Sequence, residues 1–171
     1  MSRYESPEYE VIRQDGPFEL RRYAAFATSA VKTADFSGRD GFGTLFNYIG
    51  GKNQPAVKMA MTVPVINTLD DDGLSMEFVV PKEHVKAGVP KPLDDRIQLT
   101  DYPNHLAAVV RFSGSVRPDR LEAVKAQLVD WMQKHRLQAV GPVRLARYNS
   151  PFSVPLLRRN EVWVEVIEVE D

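Results

Sequence analysis

The side chains able to do chemistry are few, and their spacing limits what they can do. Three histidines, His84, His105 and His135, stand far apart in the chain. A metal site built on histidines needs them in close, regular pairs, and this spacing offers none. His84 falls in a connecting loop and is the weak candidate for a metal ligand, because a loop can reach over a groove. His105 follows a Pro-Asn turn and reads as a surface residue. His135 closes a helix, where a cation suits the dipole. The chain has no cysteine, which excludes disulfides, thiolate nucleophiles and thiolate metal sites. Gly-x-Ser-x-Gly, Gly-x-Gly-x-x-Gly and the P-loop are absent, and Gly38, Gly41 and Gly43 stand at other spacings. Glu77 and Glu161 occur within strand patterns. They are the carboxylates available to an acid/base mechanism, although nothing in their positions brings them together.

A second group of residues suits binding rather than catalysis. Phe42, Phe46, Met59 and Met61 have two readings: ordinary core, or the lining of a flat apolar pocket in which methionine adapts to a planar ligand. The segment Pro151-Phe152-Ser153-Val154-Pro155-Leu156-Leu157 is a proline-bounded apolar loop. Exposing it is costly unless it covers something. Arg158 and Arg159 follow directly, either as partners for ligand carboxylates or as a solvated basic pair.

These residues must be positioned by regular elements. Alternation predicts strands over 9–13 and 18–23, an antiparallel pair near the N-terminus, then a strand over 24–33. Ser37 to Asp40 reads as a helix start. Phe42, Leu45, Phe46 and Ile49 then recur at helical spacing as one apolar face. Gly41 and Gly43 each weaken that helix by about 1 kcal/mol relative to alanine. Either something flat approaches closely there or the helix is poor. Gly50-Gly51 ends it. Strands follow over 61–67 and 76–80, around an acidic turn, with Pro64 restricting the first to an edge or bulge. Residues 82–92 read as a loop. The second half repeats the order. Strands at 96–102 and 106–112 precede a helix opened by Pro118, with a buried stripe of Leu121, Val124, Leu128, Trp131 and Met132. Gly141-Pro142 closes that helix, and strands cover 143–148 and 161–170. The expected architecture is one α+β domain over 1–171, with pseudo-repeats at about 8–81 and 95–168 and a ligand groove between the halves.

Composition narrows the function classes. Lys plus Arg number 22 and Asp plus Glu 23, a formal net charge of −1. That argues against a chain built to bind nucleic acid. No run approaches the roughly 20 apolar residues of a membrane span. The N-terminus lacks an apolar signal segment, so a cytoplasmic location is expected.

The wording of several blocks resembles the SOUL haem-binding protein family. They are Tyr9-Glu10-Val11 with Glu19-Leu20-Arg21-Arg22-Tyr23, Phe46-Asn47-Tyr48-Ile49-Gly50-Gly51-Lys52-Asn53, and Lys58-Met59-Ala60-Met61-Thr62-Val63-Pro64-Val65. Met76-Glu77-Phe78-Val79-Val80-Pro81, Phe112-Ser113-Gly114, Tyr148-Asn149-Ser150-Pro151-Phe152 and Arg158-Arg159-Asn160-Glu161-Val162-Trp163 complete the set. They stand in the family's order from about Tyr9 to Trp163. The resemblance implies a distorted antiparallel β-barrel flanked by two helices, a pseudo-twofold repeat of a β-α-β-β-type unit related to GyrI-like domains. It also implies non-covalent binding of haem or another tetrapyrrole in an apolar groove beside the first helix, in a carrier or buffer role. Carried over by position, the contacts fall on Arg39, Phe42, Phe46 and Asn47 of that helix and on Ser153, Val154 and Pro155 of the loop before the last strand. Arg158 is a candidate for the propionates, as are Arg39, Lys52 and Arg159. Animal members have methionines and a lysine where this chain has Phe42, Phe46 and Asn47, so stacking on aromatic rings takes the place of the methionine contacts, and the basic residues just named that of the lysine. The alternative function is a small-molecule sensor or hydrolase-type enzyme of the GyrI-like class using a groove carboxylate, Glu77 or Glu161.

Overall fold

A computed structural model describes residues 4–35, 39–70, 73–149 and 153–170. The chain divides into two compact units. One comprises Met1–Pro7 and Ala25–Pro103, the other Glu8–Ala24 and Asn104–Asp171.

The first unit contains β3 (Phe26–Thr33), α1 (Arg39–Ile49), β4 (Val65–Asp70), β5 (Gly73–Val79), α2 (Lys82–Ala87) and β6 (Gln98–Tyr102). Its strands are antiparallel in the order β4-β5-β3-β6. Helix α1 lies against β3 and β5. Around it Ala27, Val31, Leu45, Tyr48, Ile49, Met59, Met76, Phe78, Val80 and Ile97 form one buried apolar cluster. Met59 is therefore core. The strand expected from residue 61 starts only at Val65, after Pro64, which has no N–H to give to a ladder; the Val63–Pro64 bond is cis. The tip of the acidic turn, residues 71–72, lies outside the described residues, as does the expected cap Ser37.

The second unit contains β1 (Tyr9–Asp15), β2 (Phe18–Tyr23), β7 (His105–Phe112), α3 (Pro118–Lys134), β8 (Leu137–Arg147) and β9 (Asn160–Glu168). Its strand order is β1-β2-β7-β9-β8, again antiparallel throughout. Helix α3 begins at Pro118 and buries Leu121, Val124, Leu128, Trp131 and Met132, the stripe that the spacing predicts. Phe18 of β2 stacks on Trp131, ring centroids 5.7 Å apart.

Four expectations need correction. A third helix, α2, occupies the connection expected as loop, and His84 sits on it. Gly141-Pro142 does not end α3. The helix stops at Lys134 through Arg136, which takes a positive φ of 55°. Gly141 and Pro142 instead lie within β8, where the pairing with β9 shifts register between Ala139 and Val143. The pairings do not close into a barrel: among the described residues β1 pairs with β2 alone and β6 with β3 alone. Last, the buried face of α1 is Gly41, Leu45, Tyr48 and Ile49, and Phe42 and Phe46 stand outside it.

Candidate functional site

The rotation of α1 follows from its glycines. A Cβ on Gly41 would lie 2.4 Å from Cγ2 of Thr33 and 3.1 Å from Cγ1 of Val31. Only glycine lets the helix approach β3 this closely. Gly41 therefore turns inward, with Leu45, Tyr48 and Ile49 following at helical spacing. The close approach anticipated for the two glycines is met at Gly41 by β3 itself. Gly43 is different, since nothing lies within 4 Å of its Cβ position.

The outward face then carries Arg39, Phe42, Gly43, Phe46 and Asn47, at i, i+3, i+4, i+7 and i+8. Phe42 is 40% exposed and Phe46 54%. Their rings stack, with centroids 5.9 Å apart and planes 15° from parallel. The edge of Phe42 also meets Phe78 of the core, at 5.3 Å. Arg39 and Asn47 are exposed, and neither side chain has a partner among the described residues. Two neighbouring exposed phenylalanines beside a glycine with open space at its Cβ position form an apolar seat with polar ends.

The C-terminal end of α1 borders a pocket of about 180 Å³ lined by Thr44, Asn47, Tyr48, Lys52, Asp94, Arg96 and Ile97. The chain leaves the helix through Gly51 (φ 120°), and the Lys52 amide donates back to the Asn47 carbonyl at 3.1 Å. Buried Asn53 fixes the turn, its amide donating to the carbonyls of Tyr48 (3.0 Å) and Val57 (2.8 Å). The stretch after α1 is thus scaffold for the helix end. Burial raises the Tyr48 hydroxyl to about 12, and it donates to the Pro90 carbonyl. Asp94 accepts from Arg96 Nε at 3.0 Å and Nη2 at 2.7 Å. The Arg96 hydrogen bonds hold its carboxyl well below the usual range, at about 2.

The other expected contacts belong to the second unit. Ser153 is half-buried, Val154 and Pro155 are exposed, and a single 3₁₀ turn spans Pro155–Leu157. Leu156 and Leu157 are among the most exposed apolar residues. Arg158 Nε donates to the Ser153 carbonyl at 3.2 Å, which folds the segment on itself. Residues 150–152, including Phe152, lie outside the described residues. Arg159 is committed elsewhere: its guanidinium donates to Glu161 at 2.9 and 3.1 Å and lies over the Tyr148 ring.

That commitment exposes a buried cluster that the spacing gives no hint of. Glu161 is fully buried and accepts from Arg21 through Nη1 and Nη2, both at 2.8 Å. It also accepts from Arg111 (3.2 Å), Tyr148 (3.1 Å) and Trp163 (2.9 Å). Arg21, itself 0% exposed, also binds Glu19 and the Tyr23 hydroxyl and lies over the Tyr9 ring. Burial pushes the Glu161 carboxyl up, but the Arg21 hydrogen bonds, the Arg21 and Arg159 charges and the Trp163 hydrogen bond bring it down to about 2. An acid/base role needs a raised value, and here the shift is opposite. Glu77 is the buried carboxylate of the first unit. It accepts from Thr28, Thr68 and Tyr102 hydroxyls, each at 2.7 Å. The alternation of β2 could have hinted at Arg21, but its face is polar and reads as solvent-facing.

The histidines stay apart. His84 Nε2 lies 3.3 Å from Glu83, its sequence neighbour. His105 is half-buried and stacks on Tyr23, which corrects its surface reading. His135 caps α3 as its position suggests, with Asp15 3.1 Å away. Among the described residues no three His, Asp or Glu side chains gather as a metal site. No described helix is long and apolar enough to cross a membrane.

The fold is that of the C-terminal domain of EcmrR: TM-score 0.64, 13% identity, covering 94% of this chain and 99% of that one. A hydrolase from Listeria innocua shares it at TM-score 0.58 and 10% identity, covering 91% of this chain and 94% of that one. These likenesses define a class of α+β domain and no activity. Within that class the chain belongs to the SOUL heme-binding protein family, matched over residues 4–165. Relatives include heme-binding protein 2 of Homo sapiens, 26% identical over 88% of this chain and 78% of that protein. Heme-binding protein 1 of Bos taurus is 29% identical over 81% of this chain and 76% of that protein.

Proposed function

We propose that this chain binds haem, or a related tetrapyrrole, non-covalently on the outward face of α1, and serves as a carrier or buffer. The observation that carries this is the stacked, solvent-exposed pair Phe42 and Phe46 beside the empty position at Gly43. Family membership supplies the ligand class. The residues fit such a group: two aromatic rings for a macrocycle face, and Arg39 and Asn47 at its margin. Haem brings a planar apolar ring, an iron and two carboxylates. The protein's part is to cover one face of the ring and hold the carboxylates. Covering two half-exposed phenylalanines contributes roughly 2 kcal/mol from apolar area alone. Helix α1 carries no histidine or methionine, so binding there rests on ring contact and charge.

The segment Ser153, Val154, Pro155 and Arg158 is a second expected contact surface, tested by its own variant, Val154→Asp. The β-α-β-β order found in both units (β3-α1-β4-β5 and β7-α3-β8-β9) supports reading them as copies of one unit.

Titrating haem into the protein should give a saturable shift of the Soret band at micromolar haem. Phe46→Asp should weaken it by tenfold or more, since the ring has no role in the core and the charge would face the macrocycle. A featureless, non-saturating titration of the unaltered protein would sink the proposal.

A further inference from the structure

We infer that the pocket at the C-terminal end of α1 is a carboxylate subsite, formed by Lys52 and Arg96, that holds one propionate of the tetrapyrrole. This rests on the reading of the α1 face above. At about 180 Å³ the pocket admits a carboxylate and excludes a porphyrin ring. Its lining supplies donors. The Lys52 side chain is exposed and has no partner among the described residues. Asp94 holds the Arg96 guanidinium through Nε and Nη2, and Nη2 also lies 3.4 Å from the Thr44 hydroxyl. Nη1 has no partner among the described residues. Arg96 is therefore fixed in orientation with Nη1 and its two N–H groups left over, which is how a guanidinium is made ready for an anion. Lys52 and Arg96 against Asp94 give the lining one net positive charge, and the Asp40 carboxylate acts on Arg96 from outside it.

Position on the helix connects this pocket to the aromatic seat. Asn47 follows Phe46 directly and is itself a lining residue, so one side chain borders both. Thr44, Asn47 and Tyr48 form the helix side of the pocket, and Ile97 with the Tyr48 ring gives it a buried floor. A planar ligand over Phe46 and Gly43 has the pocket at its edge, where a short carboxylate arm reaches down.

The test separates the arm from the ring. Haem and haem dimethyl ester, whose propionates carry no charge, are titrated into the full chain and into Lys52→Ala, Lys52→Arg and Arg96→Gln. The unaltered protein should bind the free acid about tenfold more tightly than the ester, the worth of one well-placed charge-assisted contact. Lys52→Ala and Arg96→Gln should abolish that preference and leave the ester's affinity unchanged, while Lys52→Arg should keep it. Equal affinity for acid and ester in the unaltered protein would overturn the subsite and leave ring binding standing. So would an equal loss for both ligands in the two neutral variants. If neither ligand binds, the haem reading itself falls.

Discussion

At the scale of single residues, α1 offers a pair of glycines with opposite roles. Gly41→Ala places a methyl 2.4 Å from Cγ2 of Thr33, so the threonine side chain or the helix must shift. The expected cost is about 1–3 kcal/mol of stability, read from urea or thermal melts. Gly43→Ala meets nothing and sits in a helix, so it should stabilise by up to about 1 kcal/mol while weakening haem binding. If both variants lose stability alike, the orientation of α1 described above is wrong. The buried carboxylate makes a separate residue-scale prediction. Glu161 titrates near 4.5 in the unfolded chain and at about 2 in the folded one. A depressed carboxylate contributes stability above the unfolded value, and that contribution disappears as pH falls through the folded value. The window is therefore pH 4.5 down to about 2, with a contribution on the order of 3 kcal/mol at neutral pH. Glu161→Gln should flatten the acid limb of the stability curve. A limb as steep as that of the unaltered protein would contradict the assignment.

At the scale of elements, strand β2 carries a polar buried face. Arg21 is fully buried among Glu19, Tyr23, Tyr9 and Glu161. Removing one member leaves an uncompensated buried charge, which costs far more than the pair contributes. Arg21→Met should therefore destabilise by roughly 3–5 kcal/mol, measured by denaturant melts. A loss below about 1 kcal/mol would mean that water reaches the cluster. Helix α3 is the opposite case. Its stripe and its proline start obey the simple apolar period, so its start and buried face were legible from the sequence, though its end was not. Helix α1 was legible in extent and not in rotation. Its apolar spacing allowed Phe42 and Phe46 on the buried face, and the contact of Gly41 with Thr33 decided against that.

At the scale of the whole molecule, the order of the chain is not the order of contact. The hairpin β1–β2 pairs with β7, whereas β3, only a few residues on, pairs with β5 and β6. Hydrogen exchange should therefore give β2 amides the protection of β7 and β9. Protection that followed β3 instead would contradict the pairing. The sequence by itself determined most strands and the two longer helices, though not α2, together with the family and, through its resemblance, the candidates Arg39, Phe42, Phe46 and Asn47. Periodicity and motif order are local properties, readable along the chain. Only the tertiary structure decided three further things. It made α1 turn its two phenylalanines to solvent. It built a buried arginine–glutamate cluster from residues 21 and 161. It brought Lys52 and Arg96 to one pocket at the end of the helix. Each depends on which segments pair and how closely they approach, and those distances are set by contacts between residues far apart in sequence.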